Sequence, residues 1–205
     1  MPPQKAIKVG STSEKKVEVT SERDVRSYAE FWHTSFCLLE MTKESDEGSY
    51  HLLMGSLVFT AFSIEAYLNH VGPKVFKCWE DLERLSPKEK LNVISEKLEV
   101  KVNYGIRPWQ VLTELFQFRN DIAHGKTQKV VISKIETLEK HNASYDPWEF
   151  RAETRWEKYC TKKNAERARE DVVKIVHAIH NAANIAGEYP FQLGFEIGGS
   201  TLLAE

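Results

Sequence analysis

The chain has 205 residues, of which 41% are hydrophobic and 28% are charged, and its formal net charge is −2 at pH 7. This length and composition predict one soluble globular domain with a single sizeable core. A near-neutral charge excludes nucleic-acid binding through a globally basic surface, since phosphate attraction needs clustered lysine and arginine; only a local patch can serve.

Two features bear on the cellular location. The cysteines Cys37, Cys78 and Cys160 are too few and too widely spaced for a CxxC metal knuckle or a disulfide framework, which favours a reducing, cytoplasmic setting. The N-terminus has no apolar signal segment. The most apolar run, residues 51–71, nearly has the length of a membrane span, but Glu65 lies within it. We therefore expect a buried core helix and no membrane partner.

The N-terminal part divides into a polar segment and a first helix. Residues 1–19 are predicted to be flexible or to pair as a short strand. Thr20 or Ser21 can serve as the N-cap of a helix whose apolar spacing continues to about Ser45.

Two further helices follow. The apolar second helix is predicted to stop at Gly72 and Pro73, because glycine and proline mark helix ends. The third begins with Ser86 as N-cap and Pro87 at the first helical position, where proline is tolerated.

The fourth helix is predicted to begin at Pro108 and to end at Gly125. Residues 127–147 then form an insertion, in which the alternating KVVISKI predicts a short strand or hairpin. The pattern is helical again from Trp148, with a break near Thr161.

The predicted fold class is mainly all-α: a bundle of four to six helices with a small extended or β insertion after the fourth helix. We predict a helical domain over residues 20–187 and a C-terminal tail over residues 188–205. The tail is aromatic and glycine-containing, and it is expected to fold back on the core or on a partner.

The fourth helix carries one charged residue where packing alone would favour leucine. With 3.6 residues per turn, Arg119 falls near the middle of a broad apolar arc, while Asn120 and His124 form an i, i+4 pair at its polar edge. A guanidinium stays charged and needs an anionic partner when it is buried. Glu65 is equally misplaced in the second helix, so we predict that the two helices face each other and that Glu65 orients Arg119.

The stretch FRNDIAHG resembles the R-x4-H signature of the HEPN superfamily, a group of small helical-bundle domains. In that family a polar residue, often asparagine, follows the arginine, and the histidine ends the fourth helix. The second-helix stretch FSIEAYLNHV is similar to the family's acidic, otherwise apolar second helix. The resemblance in architecture covers roughly Arg23 to Ala186.

This resemblance implies a metal-independent endoribonuclease without cofactors, acting as a homodimer in a defence or toxin–antitoxin setting. His124 would be the general acid or base for attack of the ribose 2′-OH on the adjacent phosphate. Arg119 would hold the phosphate, and Asn120 would orient His124 or the phosphate. The products would be a 2′,3′-cyclic phosphate and a 5′-hydroxyl.

Partners other than RNA follow from the same resemblance. An antitoxin or regulatory protein is expected as a further partner. Some family toxins carry a tyrosine, modified by a partner nucleotidyltransferase, where this chain has Lys126; the lysine argues against that regulation. Lys126 and Lys129 instead predict a local basic patch for an RNA backbone.

Two alternatives remain open. Arg119 and His124 can be an inert ion pair and a helix-terminal histidine in a non-catalytic HEPN-like module that dimerises or binds a nucleotide or protein. His177 and His180, at i, i+3, can bind a metal only with a further ligand, and no acidic or cysteine ligand accompanies them. We expect a packing or interface role there, and no metal site.

Overall fold

The computed structural model describes residues 15–44, 48–144 and 150–203. The described chain is mainly α-helical with a small two-stranded sheet, which confirms the predicted class. The predicted flexible residues 1–14 and the end of the predicted insertion, residues 145–147, lie outside the described residues.

The described residues 15–25 and 193–203 belong to one of two compact units. In it, β1 (Val17–Arg23) pairs antiparallel with β2 (Glu196–Leu202) along its whole length. The predicted helix start at Thr20 or Ser21 is therefore wrong, and the alternative of a short strand is confirmed. Alternation of valine with polar residues from Val17 onward suits a strand, but its partner lies at the far end of the chain.

The second unit, residues 26–192, contains all the helices that the structure describes. The domain boundaries predicted at 19/20 and 187/188 lie several residues away from those of the unit. Helix α2 is central, because it packs against α1, α4, α5 and α8. The helices are α1 (Ser27–Met41), α2 (Ser49–Val75), α3 (Trp79–Leu82), α4 (Pro87–Lys97), α5 (Gln110–Ala123), α6 (Leu138–Ser144), α7 (Arg155–Tyr159) and α8 (Lys162–Ala183).

Helix α2 is long and apolar enough to cross a membrane by length and composition, yet half of its most apolar window is buried inside the structure. Its buried side chains belong to the hydrophobic core of the helical unit. Its predicted end at Gly72–Pro73 is wrong, since the helix continues to Val75 with Pro73 in its last turn. Gly72 instead allows the Trp79 ring to pack directly against the backbone of α2, because a Cβ at this position would lie 2.2 Å from the ring.

Hydroxyl groups hold α1 against α2. Ser35 Oγ lies 2.6 Å from Thr60 Oγ1 and 2.9 Å from the Ser56 carbonyl oxygen, while Ser56 Oγ donates to the Ser35 carbonyl at 2.9 Å. Farther along, Ser63 Oγ donates to the Tyr28 carbonyl at 2.7 Å. These side chains are small, so the two helices approach closely while every hydroxyl has a partner.

Local signals set the start of two other helices. Ser86 caps α4, and its hydroxyl and backbone N–H form a reciprocal capping box with Glu89, with Pro87 at the first position as predicted. The predicted break near Thr161 is also present, because Thr161 is the N-cap of α8.

The insertion after the fourth predicted helix, which is α5, contains no strand in its described part. Residues 125–137 have neither helix nor strand and are almost entirely exposed, and α6 follows. The strand predicted from KVVISKI is therefore absent. Alternation alone makes no strand without a neighbouring ladder, and no described segment pairs with this one.

Candidate active site at the end of helix α5

Helix α5 is buried through its middle and leaves the core in its last turn. The half-buried Arg119 follows the last buried residue of the helix, and His124 is exposed as the C-cap. The motif therefore lies where α5 emerges from the core, rather than along a fully buried face. The buried residues of α5 are Val111, Leu112, Leu115, Phe116 and Phe118.

The predicted ion pair between α2 and α5 forms. Arg119 Nη2 donates to Glu65 Oε2 at 2.8 Å, and each side chain is 21% exposed. The guanidinium also lies over the Phe62 ring, with Cζ 5.6 Å from the ring centroid. Arg119 Nε is buried without a hydrogen-bond partner among the residues that the structure describes. The guanidinium is thus fixed by one carboxylate, with donors left unused.

Asn120 contacts both ends of the motif. Its side-chain oxygen accepts from Arg119 Nη1 at 2.9 Å, and its carbonyl oxygen accepts from the backbone N–H of His124 at 2.9 Å. Asn120 therefore orients the arginine through its side chain. It touches His124 through the main chain only.

The His124 imidazole has no hydrogen-bond partner among the described residues. It lines an open depression of about 540 Å³, together with Asn120, Asp121 and residues 125–128. Both of its ring nitrogens are available to a ligand in the depression. The depression leaves room for a ligand beside it.

Arg119 and His124 face different directions within one chain. Five residues of α-helix turn the chain by about 140° beyond one full circle, and Arg119 is absent from the lining of the depression. One copy of the chain therefore presents the two groups on different sides of the end of α5. Asn120 contacts both residues and so connects them.

The two lysines of the predicted basic patch are exposed, with no ion-pair partner in the described part of the chain. Lys126 lines the same depression as His124. Lys129 lies three residues farther along the exposed segment. Lys134, by contrast, pairs with Glu136 at 2.6 Å.

The structure adds an ion pair that the sequence patterns did not indicate. Asp121 accepts from Arg155 Nη2 at 3.1 and 2.9 Å, and from Gln117 Nε2 at 2.8 Å. The spacing of Gln117 and Asp121, at i and i+4 on a helix, is a signal that could have been used. Arg155 comes from α7, so its contact depends on the tertiary fold.

His180 has a structural role, which confirms the packing interpretation. Its Nε2 lies 3.0 Å from the Glu188 carbonyl oxygen and its Nδ1 lies 3.1 Å from the Tyr67 hydroxyl. Since a carbonyl only accepts, Nε2 carries the proton there. His177 is exposed. Within the described residues, no group of three or more His, Cys, Asp or Glu side chains is placed to hold a metal ion.

Glu188 also anchors the segment after α8 to α2. Its carboxylate accepts from Lys74 Nζ and bonds to His70 Nε2, both at 2.9 Å. Burial lowers the pKa of His70 even though the Glu188 carboxylate favours its charged form. Burial alone would raise the pKa of Glu188, but the hydrogen bonds from Lys74 and His70 outweigh it and lower that pKa.

No protein-family model, curated protein or solved structure matches this chain. The chemistry of the site therefore rests on its own residues.

Proposed function

We propose that this protein is a metal-independent endoribonuclease of HEPN type that acts as a cytoplasmic homodimer. One observation carries the proposal: Arg119, held by Glu65 and Asn120, is followed at the same helix end by His124, whose imidazole has no partner in the described part of the chain. A fixed cation and a proton-transfer group, brought to one phosphate by two copies of the chain, are the minimum that phosphodiester cleavage needs.

In the proposed reaction the ribose 2′-oxygen bonds to the adjacent phosphorus and the bond to the leaving 5′-oxygen breaks. His124 takes the 2′-hydroxyl proton or supplies the proton that the 5′-oxygen gains. Arg119 donates the remaining N–H groups of Nη1 and Nη2 to the phosphate oxygens, where negative charge increases in the transition state. Asn120 keeps the guanidinium in place. The products are a 2′,3′-cyclic phosphate and a 5′-hydroxyl, and DNA, which lacks the 2′-hydroxyl, is not cleaved.

A second copy of the chain completes the site in this proposal, because one copy turns Arg119 and His124 to different sides. A half-buried aromatic cluster supports such a contact: Phe31, Phe59 and Phe62 lie within 5.8 to 6.2 Å of one another, between ring centroids. Phe62 also lies beneath Arg119. Partly exposed aromatic rings of this kind are enriched at protein interfaces.

The RNA strand approaches over Lys126 and Lys129, which have no competing carboxylate among the described residues. A nuclease of this kind acts in defence or in a toxin–antitoxin system, and an antitoxin or regulatory protein restrains it in the cell.

A second candidate is a non-catalytic module that dimerises or binds a nucleotide or a protein. The observation that favours it is that Arg119 already has internal partners: its charge is matched by Glu65 and a further donor is taken by Asn120. An arginine held in this way also serves as a structural bridge between α2 and α5.

Cleavage of total cellular RNA in the presence of EDTA tests the proposal. We expect the wild type to give cyclic-phosphate ends and His124→Ala to lose at least about 100-fold in rate, the usual contribution of general acid–base catalysis. His177→Ala is the matched control, because it removes another exposed imidazole far along the chain. Equal cleavage by all three proteins would indicate contamination, and none by the wild type would favour the second candidate.

A further inference from the structure

A second cavity lies beside the depression that holds His124. This α5–α7 cavity has a volume of about 390 Å³ and is lined by one stripe of α5, by α7 and by the start of α8. Asp121 lines both the cavity and the depression, so the two adjoin. The volume is at the lower end of the range of about 300–1,000 Å³ for small-ligand pockets, so it has room for one flat ring system.

Aromatic rings form the walls of the α5–α7 cavity. Phe118, Trp156 and Tyr159 line it, and the Phe118 and Tyr159 centroids are 5.4 Å apart. Burial raises the pKa of Tyr159 far above its ordinary value, so the ring stays uncharged. Trp156 is half-buried and reachable from solvent. Stacking on such rings is how proteins hold unpaired bases.

Two amide side chains in the lining present acceptors. Gln117 Nε2 donates to Asp121, and Asn164 Nδ2 donates to the Tyr159 carbonyl at 2.9 Å. Each amide is thereby oriented with its carbonyl oxygen unbonded within the described part of the chain. Fixed acceptors select ligands that present N–H donors.

A cation marks the boundary between the two concave sites. Arg155 lines the cavity, is held by Asp121, and its side chain is 67% exposed. Its guanidinium has further N–H donors for a phosphate. Lys158 adds a second exposed cation to the lining. A nucleotide with its base in the cavity would therefore have cations near its phosphate.

We propose that the α5–α7 cavity binds one unpaired base of a single-stranded RNA whose neighbouring phosphate lies at His124. An exocyclic amino group can donate two hydrogen bonds, whereas uracil donates one through N3, so the two acceptor oxygens of Gln117 and Asn164 favour bases with an exocyclic amino group over uracil. The placement of the phosphate at His124 rests on the proposed function. The binding of a base in the α5–α7 cavity does not depend on that function.

Binding of short, labelled 2′-O-methyl oligoribonucleotides, which the proposed reaction cannot cleave, tests the inference by fluorescence anisotropy. We expect cytidine-rich oligomers to bind more tightly than uridine-rich ones. Trp156→Ala should raise the Kd by roughly 5- to 150-fold, the range for loss of one stacked base. Trp156→Phe should recover most of the affinity, and Gln117→Met should erase the preference for cytidine. The matched control is Tyr189→Ala, since Tyr189 is 75% exposed and outside the cavity.

Several outcomes would overturn the inference. One is an unchanged Kd for a Trp156→Ala protein that melts like the wild type. If the Trp156→Ala protein does not fold, Gln117→Met takes its place: an unchanged affinity and an unchanged base preference in that variant would overturn the inference. Another is Trp156-dependent binding of free cytidine monophosphate with no effect on oligomers. The proposed function fails separately: Trp156-dependent binding without any RNA cleavage would retain the base site and reject the nuclease.

Discussion

Glu65 and Arg119 join α2 to α5 through a charged hydrogen bond of 2.8 Å, with each side chain four-fifths withdrawn from water. Neither residue suits its helix alone, because each interrupts an otherwise apolar stretch. Together they satisfy one another, and they fix the guanidinium next to the end of α5.

This pair predicts a measurable coupling. Glu65→Ala should reduce the free energy of unfolding by about 1–3 kcal/mol, below the roughly 3–5 kcal/mol for fully buried pairs because some solvent reaches both groups. In a double-mutant cycle with Arg119→Met, the second substitution should recover part of the loss. Denaturant titration of the four proteins measures it. The control is the exposed pair of Glu40 and Lys43, where Glu40→Ala should change stability by no more than about 1 kcal/mol. Strictly additive effects at Glu65 and Arg119 would refute the coupling.

Gly72 predicts a steric effect. Gly72→Ala should lower the free energy of unfolding by about 1–3 kcal/mol, since the added methyl group would overlap the Trp79 ring. The matched control is Gly55→Ala in the same helix, where the nearest atom is the mobile Leu38 Cδ1 at 3.0 Å. There the gain in helix propensity of about 1 kcal/mol opposes a smaller clash. Thermal melting of both variants compares them, and equal effects would contradict the close contact of Gly72 with Trp79.

The burial of His70 beside Glu188 predicts a dependence of stability on pH. The pKa of His70 is lower in the folded chain than its unfolded value of about 6.5, so the unfolded chain takes up the proton first. This contribution to stability is complete above that pH and is lost as the pH falls below it. The lowered pKa of Glu188 acts in the same direction at more acidic pH, since its contribution is lost below about 4.3, its unfolded value.

Melting temperatures between pH 7.5 and 5.5 should therefore fall in the wild type, and fall less steeply in His70→Gln. His177→Gln removes an exposed histidine and should keep the slope of the wild type. A His70→Gln protein with an unchanged slope would mean that His70 does not titrate between these pH values.

Lys126 and Lys129 predict a salt effect on RNA binding. For a single strand, each neutralised phosphate changes the slope of log K against log salt concentration by about 0.7. Each of Lys126→Ala and Lys129→Ala should make that slope shallower by about this amount, measured with uncleavable 2′-O-methyl RNA. Lys43→Ala, which removes a lysine that is already paired with Glu40 of α1, should leave the slope unchanged. Parallel lines for all variants would exclude the patch.

The parts of the site that sequence could predict are those in which one residue violates its local pattern. Arg119 and Glu65 each break an apolar helix face, and their mutual contact follows from the need to pair buried charge. The cap at Ser86 was equally readable because its partner, Glu89, lies three residues away.

The failures have the opposite origin, since their partners are remote in the chain. The strand at Val17 depends on Leu202, and the salt bridge of Asp121 depends on Arg155. The same holds for Asp171, which is 0% exposed and receives two hydrogen bonds from Arg107, at 2.7 and 2.8 Å. Alternation and helical spacing describe one element at a time, so none of these partnerships was accessible to them.

The hydroxyl contacts between α1 and α2 also fix the position of α1 along the axis of α2. Two helices packed through leucine side chains can slide along each other, because one apolar contact then replaces another at little change in free energy. Ser35, Ser56 and Thr60 allow no such exchange: a shift of α1 by one turn would leave buried hydroxyls facing carbon. Helix α1 therefore packs at one position along α2. Phe31 of α1 packs against Phe62 of α2, and Arg119, the partner of Glu65, lies over Phe62. The fixed position of α1 along α2 therefore also fixes the position of the Phe31 ring relative to Arg119.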